Sequence, residues 1–265
     1  MMQSWIQSYL DILGVDQSKL NLNFIQKLQE RHLEEFIFSS INVLLKKELP
    51  LDDALLFKRV IEDKKGGYCF EHNKIFYEVL FALGFKVKSL LGRVLNNRDI
   101  QVPRTHRVTL LEWEEKTYLV DVGFGPTCPH LPVALYEKNA PSNRGHHYEI
   151  THKGNSFYLA EKFKEHSFTY YSFELQEAFD ADFEMGHFYS HKYPKASFVN
   201  NLVASRIYDD KVYSLRNDSF HIIRKEDKEI IIIDSAKHLQ EVLNNYFEYV
   251  LDYDDSQYLY ENFSI

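Results

Sequence analysis

Three residues in the first half of the chain have the types and the order of a thiol-based catalytic triad. They lie in the runs KGGYCFEHN (65–73), THRVTLL (105–111) and YLVDVGFG (118–125) and are Cys69, His106 and Asp121. In such a triad the imidazole takes the proton of the thiol, while the carboxylate fixes the tautomer of the imidazole and stabilises the imidazolium. The sequence therefore predicts nucleophilic catalysis through Cys69.

The residues around Cys69 favour a reactive thiol at the start of a helix. Gly66 and Gly67 permit an unusual turn, and apolar residues recur at helical spacing from His72 to Leu83, just before Gly84. In the first turn of a helix, free amide groups and the helix dipole stabilise a thiolate and can hold an oxyanion. The alternative is a buried, inert cysteine that begins an apolar helix.

A hairpin is expected to bring His106 and Asp121 together. Two strand-like segments flank the turn at 114–116, and if Trp113 opposes Lys116, the register makes the histidine and the aspartate diagonal neighbours on one face. A single histidine is more often a hydrogen-bonded strand residue without a catalytic role. A carboxylate within YLVDVGF, however, needs a cationic partner if it is buried, and an imidazolium would be one.

Length, composition and charge exclude several classes of protein. The 265 residues suffice for one large domain or for two to three small ones, and 45% hydrophobic with 26% charged residues is typical of a soluble globular protein. The net charge of −8 argues against a nucleic-acid partner. Two cysteines are too few for a disulfide scaffold and indicate a cytoplasmic protein with reduced thiols. No segment predicts a signal peptide or a membrane span.

The periodicity of apolar residues predicts an α+β protein, with helices first, then strands, then a mixed end. Helices are expected before Gly14, at 23–32 and at 72–83, and strands at 85–93, 106–113, 117–124, 147–151, 156–159, 202–208, 211–214, 219–224 and 229–233. The segment 183–198 is expected to be irregular, and one helix, 236–249, is expected to close the chain.

Two further groups of residues are candidate binding sites. Arg93, Arg98, Arg104 and Arg107 surround His106 in sequence and could seat a phosphate-bearing donor, or they could be solvated loop residues.

His187 and His191 have the spacing of two metal ligands on a helix, but no third ligand stands at a suitable distance and Pro194 follows closely. We therefore predict no metal site. Cys128 and His130 flank Pro129 and are expected to lie in a loop.

The motifs resemble those of the arylamine N-acetyltransferases. The family's nucleophile motif, RGGxCxExN, is matched from Lys65 to Asn73 at every fixed position but the first. Its histidine and its DxGFG aspartate are matched at His106 and from Asp121 to Gly125. The resemblance covers almost the whole chain, including 33–43, 182–198 and 241–247.

This resemblance implies a helical domain at 1–85, a β-barrel domain at 86–198 and an α/β lid at 199–265, on a papain-like or transglutaminase-like catalytic core. It also implies a ping-pong reaction without a metal, in which Cys69 takes an acetyl group from acetyl-CoA and passes it to an arylamine, arylhydrazine or hydroxylamine. Phe38, Arg104, Thr105 and Phe124 are the substrate-binding residues expected, and Gly125, Pro126 and Thr127 are expected near the pyrophosphate of CoA.

Two positions depart from the family pattern. Lys65 stands where the family has arginine, and Ser39 stands where it has glutamate. We hypothesise that the two changes are linked, with an Arg–Glu pair that braces the catalytic turn replaced by a looser contact. Two other functions stay open: a thiol hydrolase or transglutaminase-like enzyme with the same order of residues, and a catalytically weak ligand-binding relative.

Overall fold

The computed structural model describes residues 4–137, 145–208 and 210–264. Within these ranges the α-helices are α1 (Ser4–Leu13), α2 (Leu22–Glu35), α3 (Ile41–Leu44), α4 (Asp53–Phe57), α5 (Cys69–Ala82), α6 (Asp180–Lys192), α7 (Ser197–Asn200), α8 (Ala236–Phe247) and α9 (Tyr253–Phe263). The strands are β1 (Phe38–Ser39), β2 (Lys86–Val94), β3 (His106–Trp113), β4 (Lys116–Val120), β5 (Val133–Ala134), β6 (Tyr148–Lys153), β7 (Ser156–Lys162), β8 (Ser167–Glu174), β9 (Val203–Ile207), β10 (Lys211–Arg216), β11 (Ser219–Arg224) and β12 (Lys228–Ile232).

The first helices bury one apolar face each around α5. Ile25 and Leu28 of α2, and Phe76 and Val79 of α5, are each three residues apart and are fully buried in one cluster. The side chain of Asn21 caps the start of α2 by accepting a hydrogen bond from the backbone of the helix. Because α5 is packed along its length, its first residue is held in a fixed place.

The larger sheet is antiparallel, has the strand order β5-β4-β3-β2-β8-β7-β6, and is nearly closed because β5 and β6 approach each other. Its interior is filled by alternate residues of the strands, among them Leu90, Val108 and Leu159. The hairpin of β3 and β4 pairs Trp113 with Lys116, so the predicted register is confirmed.

The smaller sheet has the order β1-β9-β10-β11-β12, and the aromatic and aliphatic faces of α8 and α9 pack in the same core. Its first strand comes from the helical part of the chain, since Phe38 pairs with Ser205 of β9. The chain thus has a helical first part, a barrel-like sheet and an α/β lid, and the predicted α+β class is confirmed.

The expectation for residues 183–198 is wrong, because α6 and α7 occupy most of that segment. The buried face of α6 includes Gly186, His187 and Ser190, while Met185 and Phe188 are exposed, so apolar periodicity gives no helical signal. The closing helix ends at Phe247, and a second one, α9, follows it. None of the helices in the described ranges is long and apolar enough to cross a membrane.

Candidate active site

Cys69 is the first residue of α5, as the sequence predicted. The turn before it needs its glycines: Gly66 has φ +62°, and a Cβ there would lie 2.8 Å from the carbonyl oxygen of Ile37. The thiol is buried and lies 3.4 Å from the carbonyl oxygen of Thr105. The nucleophile candidate is therefore fixed between the helix and the residue that precedes His106.

His106 and Asp121 form the predicted pair on the inner face of the hairpin. His106 Nε2 lies 2.7 Å from Asp121 Oδ2, and both side chains are buried. The other oxygen, Oδ1, accepts hydrogen bonds from Asn73 Nδ2 at 2.9 Å and from the backbone amide of Gly123 at 2.8 Å. Tyr171 donates to Oδ2 at 2.8 Å. A buried carboxylate with this many donors stays ionised and keeps its orientation.

The pKa values follow from this pairing. Burial alone lowers the pKa of His106, but the charge of Asp121 and its hydrogen bond outweigh burial and raise the pKa to about 10. Burial alone raises the pKa of Asp121. The charge and the hydrogen bond of His106 outweigh burial, so the pKa of Asp121 lies below its ordinary value. The nearby thiol of Cys69 adds to the rise in the pKa of His106. A proton that leaves the thiol for the imidazole is therefore stabilised there by the carboxylate.

The loop after Asp121 approaches Cys69 more closely than a side chain would permit. A Cβ on Gly123 would lie 2.7 Å from the Cα of Cys69, which explains the glycine in DVGFG. Cys128 fixes this loop through two hydrogen bonds. Its thiol accepts from the amide of Phe124 at 3.4 Å and donates to the carbonyl of Asp121 at 3.1 Å. Burial raises the pKa of the Cys128 thiol, so it acts as a structural hydrogen-bond group.

The aromatic residues expected to bind substrate lie next to this group. The ring of Phe124 contacts the ring of His106, with centroids 5.0 Å apart, and that of Tyr171 at 4.9 Å. Phe38 lies beside Gly125, where a Cβ would be 3.4 Å from its ring. The turn Gly125–Thr127 is a 3₁₀ turn that faces β9 and β10 of the smaller sheet. Phe38, Phe124 and the Gly125–Thr127 turn thus lie at the junction between barrel and lid.

The four arginines do not form one cluster. Arg93, Arg98 and Arg104 line a cavity of about 410 Å³ together with Ser172 and Glu174. Ser172 follows Tyr171 in β8 and therefore points to the opposite face of the sheet, away from His106.

Arg107 lies elsewhere, buried under the ring of Phe183 at 4.2 Å and hydrogen-bonded to Ser89. Arg104 forms an ion pair with Glu174 at 3.2 Å, so its role as a substrate contact stays a prediction.

Comparison with known proteins decides the family. A model described as N-acetyltransferase matches residues 21–256. A Salmonella typhimurium protein, the arylamine N-acetyltransferase / N-hydroxyarylamine O-acetyltransferase, is 32% identical over 228 residues, which cover 84% of this chain and 80% of that protein. The chain belongs to the arylamine N-acetyltransferase family.

Solved structures of arylamine N-acetyltransferases have the same fold. The Salmonella typhimurium structure superposes with a TM-score of 0.92 at 26% identity and covers 99% of this chain and 100% of that one. The Mycobacterium marinum structure in complex with CoA superposes with a TM-score of 0.90 at 24% identity and covers 97% and 99% of the two chains. The match therefore extends over the helical part, the barrel and the lid.

Two residues that hold the site were not predicted from the sequence. Tyr171 lies in β8, a strand that the sequence analysis did not predict. Arg59 lies in the π-helical turn Lys58–Glu62, where its Nη2 pairs with Glu71 Oε1 at 2.6 Å. The other oxygen, Oε2, accepts from the amide of Tyr68 at 2.8 Å, so this ion pair braces the start of α5.

The two departures from the arylamine N-acetyltransferase pattern have separate partners. Lys65 donates to the carbonyl of Val250 at 2.8 Å, and its ammonium lies over the ring of Tyr249. Ser39 Oγ accepts from the amide of Ile41 at 2.9 Å. That the two substitutions are energetically linked stays a hypothesis.

Proposed function

We propose that the chain transfers an acetyl group from acetyl-CoA to an arylamine, arylhydrazine or hydroxylamine, in two steps and through an acetyl group on Cys69. The observation that carries the proposal is the buried His106–Asp121 pair with the thiol of Cys69 next to its imidazole. Membership of the arylamine N-acetyltransferase family supports the acceptor class. The CoA in the Mycobacterium marinum relative supports the donor.

In the first step the thiolate of Cys69 attacks the thioester carbon of acetyl-CoA. His106 holds the proton that the thiol has lost and returns it to the sulfur of CoA as the carbon–sulfur bond of the donor breaks. The amides of Glu71 and His72 donate to the carbonyl of Tyr68, so we propose the two amides before them, of Cys69 and Phe70, as the donors to the oxyanion. Free CoA and acetyl-Cys69 are the products.

In the second step the acceptor nitrogen, or the oxygen of a hydroxylamine, attacks the acetyl carbon. His106 takes the proton that the acceptor loses, and the bond to Cys69 breaks to restore the thiol. We propose that Phe38, Thr105 and Phe124 line the place of the aromatic ring and that the Gly125–Thr127 turn lies near the pyrophosphate. Two buried, unpaired cysteines agree with a reducing compartment, and we propose that the reaction takes place in the cytoplasm.

Release of CoA from acetyl-CoA, measured across a panel of arylamines and hydrazines, tests the proposal. We expect release that depends on the acceptor, with acetylated amine formed in equal amount, and none with Cys69→Ala. Release at the same rate without any acceptor would favour the thiol hydrolase instead. Binding of CoA without release would favour the ligand-binding relative.

A further inference from the structure

His187 contacts both residues that flank Cys69. Its Nδ1 lies 2.7 Å from the hydroxyl of Tyr68, and the two rings are stacked with centroids 5.4 Å apart. The ring of Phe70 meets the same imidazole edge-on at 5.7 Å. The neighbouring Gly186 packs so closely that a Cβ there would lie 2.6 Å from the ring of Phe70. Helix α6 therefore packs against the residue before Cys69 and against the residue after it.

The hydrogen bonds of His187 define its tautomer. Nε2 lies 2.7 Å from the carbonyl oxygen of Leu49, which can only accept, so Nε2 carries the proton. Nδ1 then has a free lone pair and accepts the hydrogen of Tyr68. Burial lowers the pKa of His187 to about 4, which keeps this neutral form at neutral pH. Both ring nitrogens are thus engaged, and the described residues contain no cluster of three ligand side chains for a metal.

Tyr68 is held at both ends. Its amide donates to the carboxylate of Glu71, and its carbonyl accepts from the amide of His72 inside α5. The hydroxyl at the far end of the side chain is anchored on α6 and, through His187, on the carbonyl of Leu49. Without Nδ1 of His187 as acceptor, the hydroxyl keeps longer contacts, 3.2 Å to the carbonyl oxygen of His187 and 3.4 Å to Nδ1 of His191.

We propose that His187 is a positioning residue, which acts through the phenol of Tyr68 to aim the Cys69 thiol at His106. The inference deepens the proposed acetyl transfer and rests on it for the part that concerns acetyl-CoA. A displacement of about 1 Å at a reacting group lowers a rate by as much as ~100-fold, so the loss of this anchor has a measurable effect.

The test uses Tyr68→Phe, His187→Leu, their double variant and a control on the same helix, Ser190→Ala, which loses a bond to the carbonyl of Gly186 only. Two rates are measured well below each variant's Tm: alkylation of Cys69 by iodoacetamide, read from the peptide mass, and formation of the acetyl-enzyme from acetyl-CoA. We expect each single variant to lose about 10-fold in both rates, without a change in KM for acetyl-CoA.

The double variant should lose no more than the worse single variant, because both changes break the same anchor. His187→Asn, whose amide oxygen replaces Nδ1 as acceptor, should recover most of the rate, and Ser190→Ala should react like the wild type. Wild-type rates in Tyr68→Phe, additive losses in the double variant, or an equal loss in Ser190→Ala would each overturn the proposal. If the wild type forms no acetyl-enzyme, the proposed function fails, while alkylation still decides whether His187 positions the thiol.

Discussion

Tyr171 donates its phenolic hydrogen to the same oxygen of Asp121 that pairs with His106. The donor lies 2.8 Å and the imidazole nitrogen 2.7 Å from Oδ2, and the rings of Tyr171 and His106 are in contact at 4.6 Å. Burial and the charge of Asp121 raise the pKa of Tyr171 well above its ordinary value, so the phenol remains a donor over the working range of pH. A residue from β8 thus helps to set the geometry of two residues from the hairpin β3–β4.

Replacement of Tyr171 by phenylalanine should weaken both the fold and the reaction. The variant removes one hydrogen bond to a buried charge, which should lower the free energy of unfolding by about 1.5–3 kcal/mol and weaken the hold on the Asp121 oxygen that pairs with His106. Urea unfolding and steady-state kinetics measure the two effects, and kcat should fall while KM for acetyl-CoA does not change. Tyr170→Phe is the matched control, because Tyr170 donates to Glu161 and not to Asp121. Equal kcat values for the two variants would count against this role of Tyr171.

The ion pair of Arg59 and Glu71 should matter more than an exposed pair on the same turn. Glu71 is buried and Arg59 nearly so, and Glu71→Gln would leave the guanidinium without its charge partner. We expect a loss of about 3–5 kcal/mol in the free energy of unfolding. Asp63→Asn, which breaks the exposed pair with Lys58, should leave the urea midpoint close to that of the wild type. Similar midpoints for the two variants would contradict a bracing role for Glu71.

Two buried histidines should make stability depend on pH. His32 Nε2 lies 2.8 Å from His72 Nδ1, and His72 Nε2 lies 3.1 Å from the carbonyl of Ile37, so both rings are neutral in this chain of hydrogen bonds that begins at Tyr9. Burial lowers the pKa of both. In the unfolded chain these two histidines bind protons below about pH 6.5, whereas in the folded protein they stay neutral. Their contribution to stability is therefore full above that pH and falls as the pH decreases.

The matched variant for this pH dependence is His32→Gln, which keeps a donor and an acceptor but does not titrate. Urea unfolding between about pH 7.5 and pH 5 should give a slope that is shallower than that of the wild type by up to ~1.4 kcal/mol per pH unit. His106 acts with the opposite sign, because its pKa is raised, but it is common to both proteins and cancels in the comparison. Identical slopes would mean that His32 becomes protonated in the folded protein.

The parts of the site that the sequence predicted are local in the chain. The turn between Trp113 and Lys116 sets the register of β3 and β4, and Asp121, the residue after β4, is thereby directed to the face on which His106 lies. The start of α5 at Cys69 likewise depends on neighbouring glycines and on a helical apolar pattern. Such features need no knowledge of the rest of the fold.

The parts that were missed depend on distant contacts. In SFTYYSFE (167–174) the last residues before Glu174 are buried on both faces of the sheet, so no alternation marks β8, and the contact of Tyr171 with Asp121 spans 50 residues. Helix α6 buries His187 and exposes Phe188, the reverse of the usual pattern, because its buried face meets the polar groups around the nucleophile. Arg59 belongs to a π-helical turn, for which the local sequence has no clear signal.

Acetyl transfer through Cys69 is tested most directly by the mass of the intact protein after incubation with acetyl-CoA and no acceptor. We predict one acetyl group, located on the peptide that contains Cys69, which disappears when an arylamine is added and reappears on the amine. Cys69→Ala should carry none. No acetyl group, an acetyl group on another residue, or one on Cys69 that persists in the presence of arylamines and hydrazines would contradict this prediction.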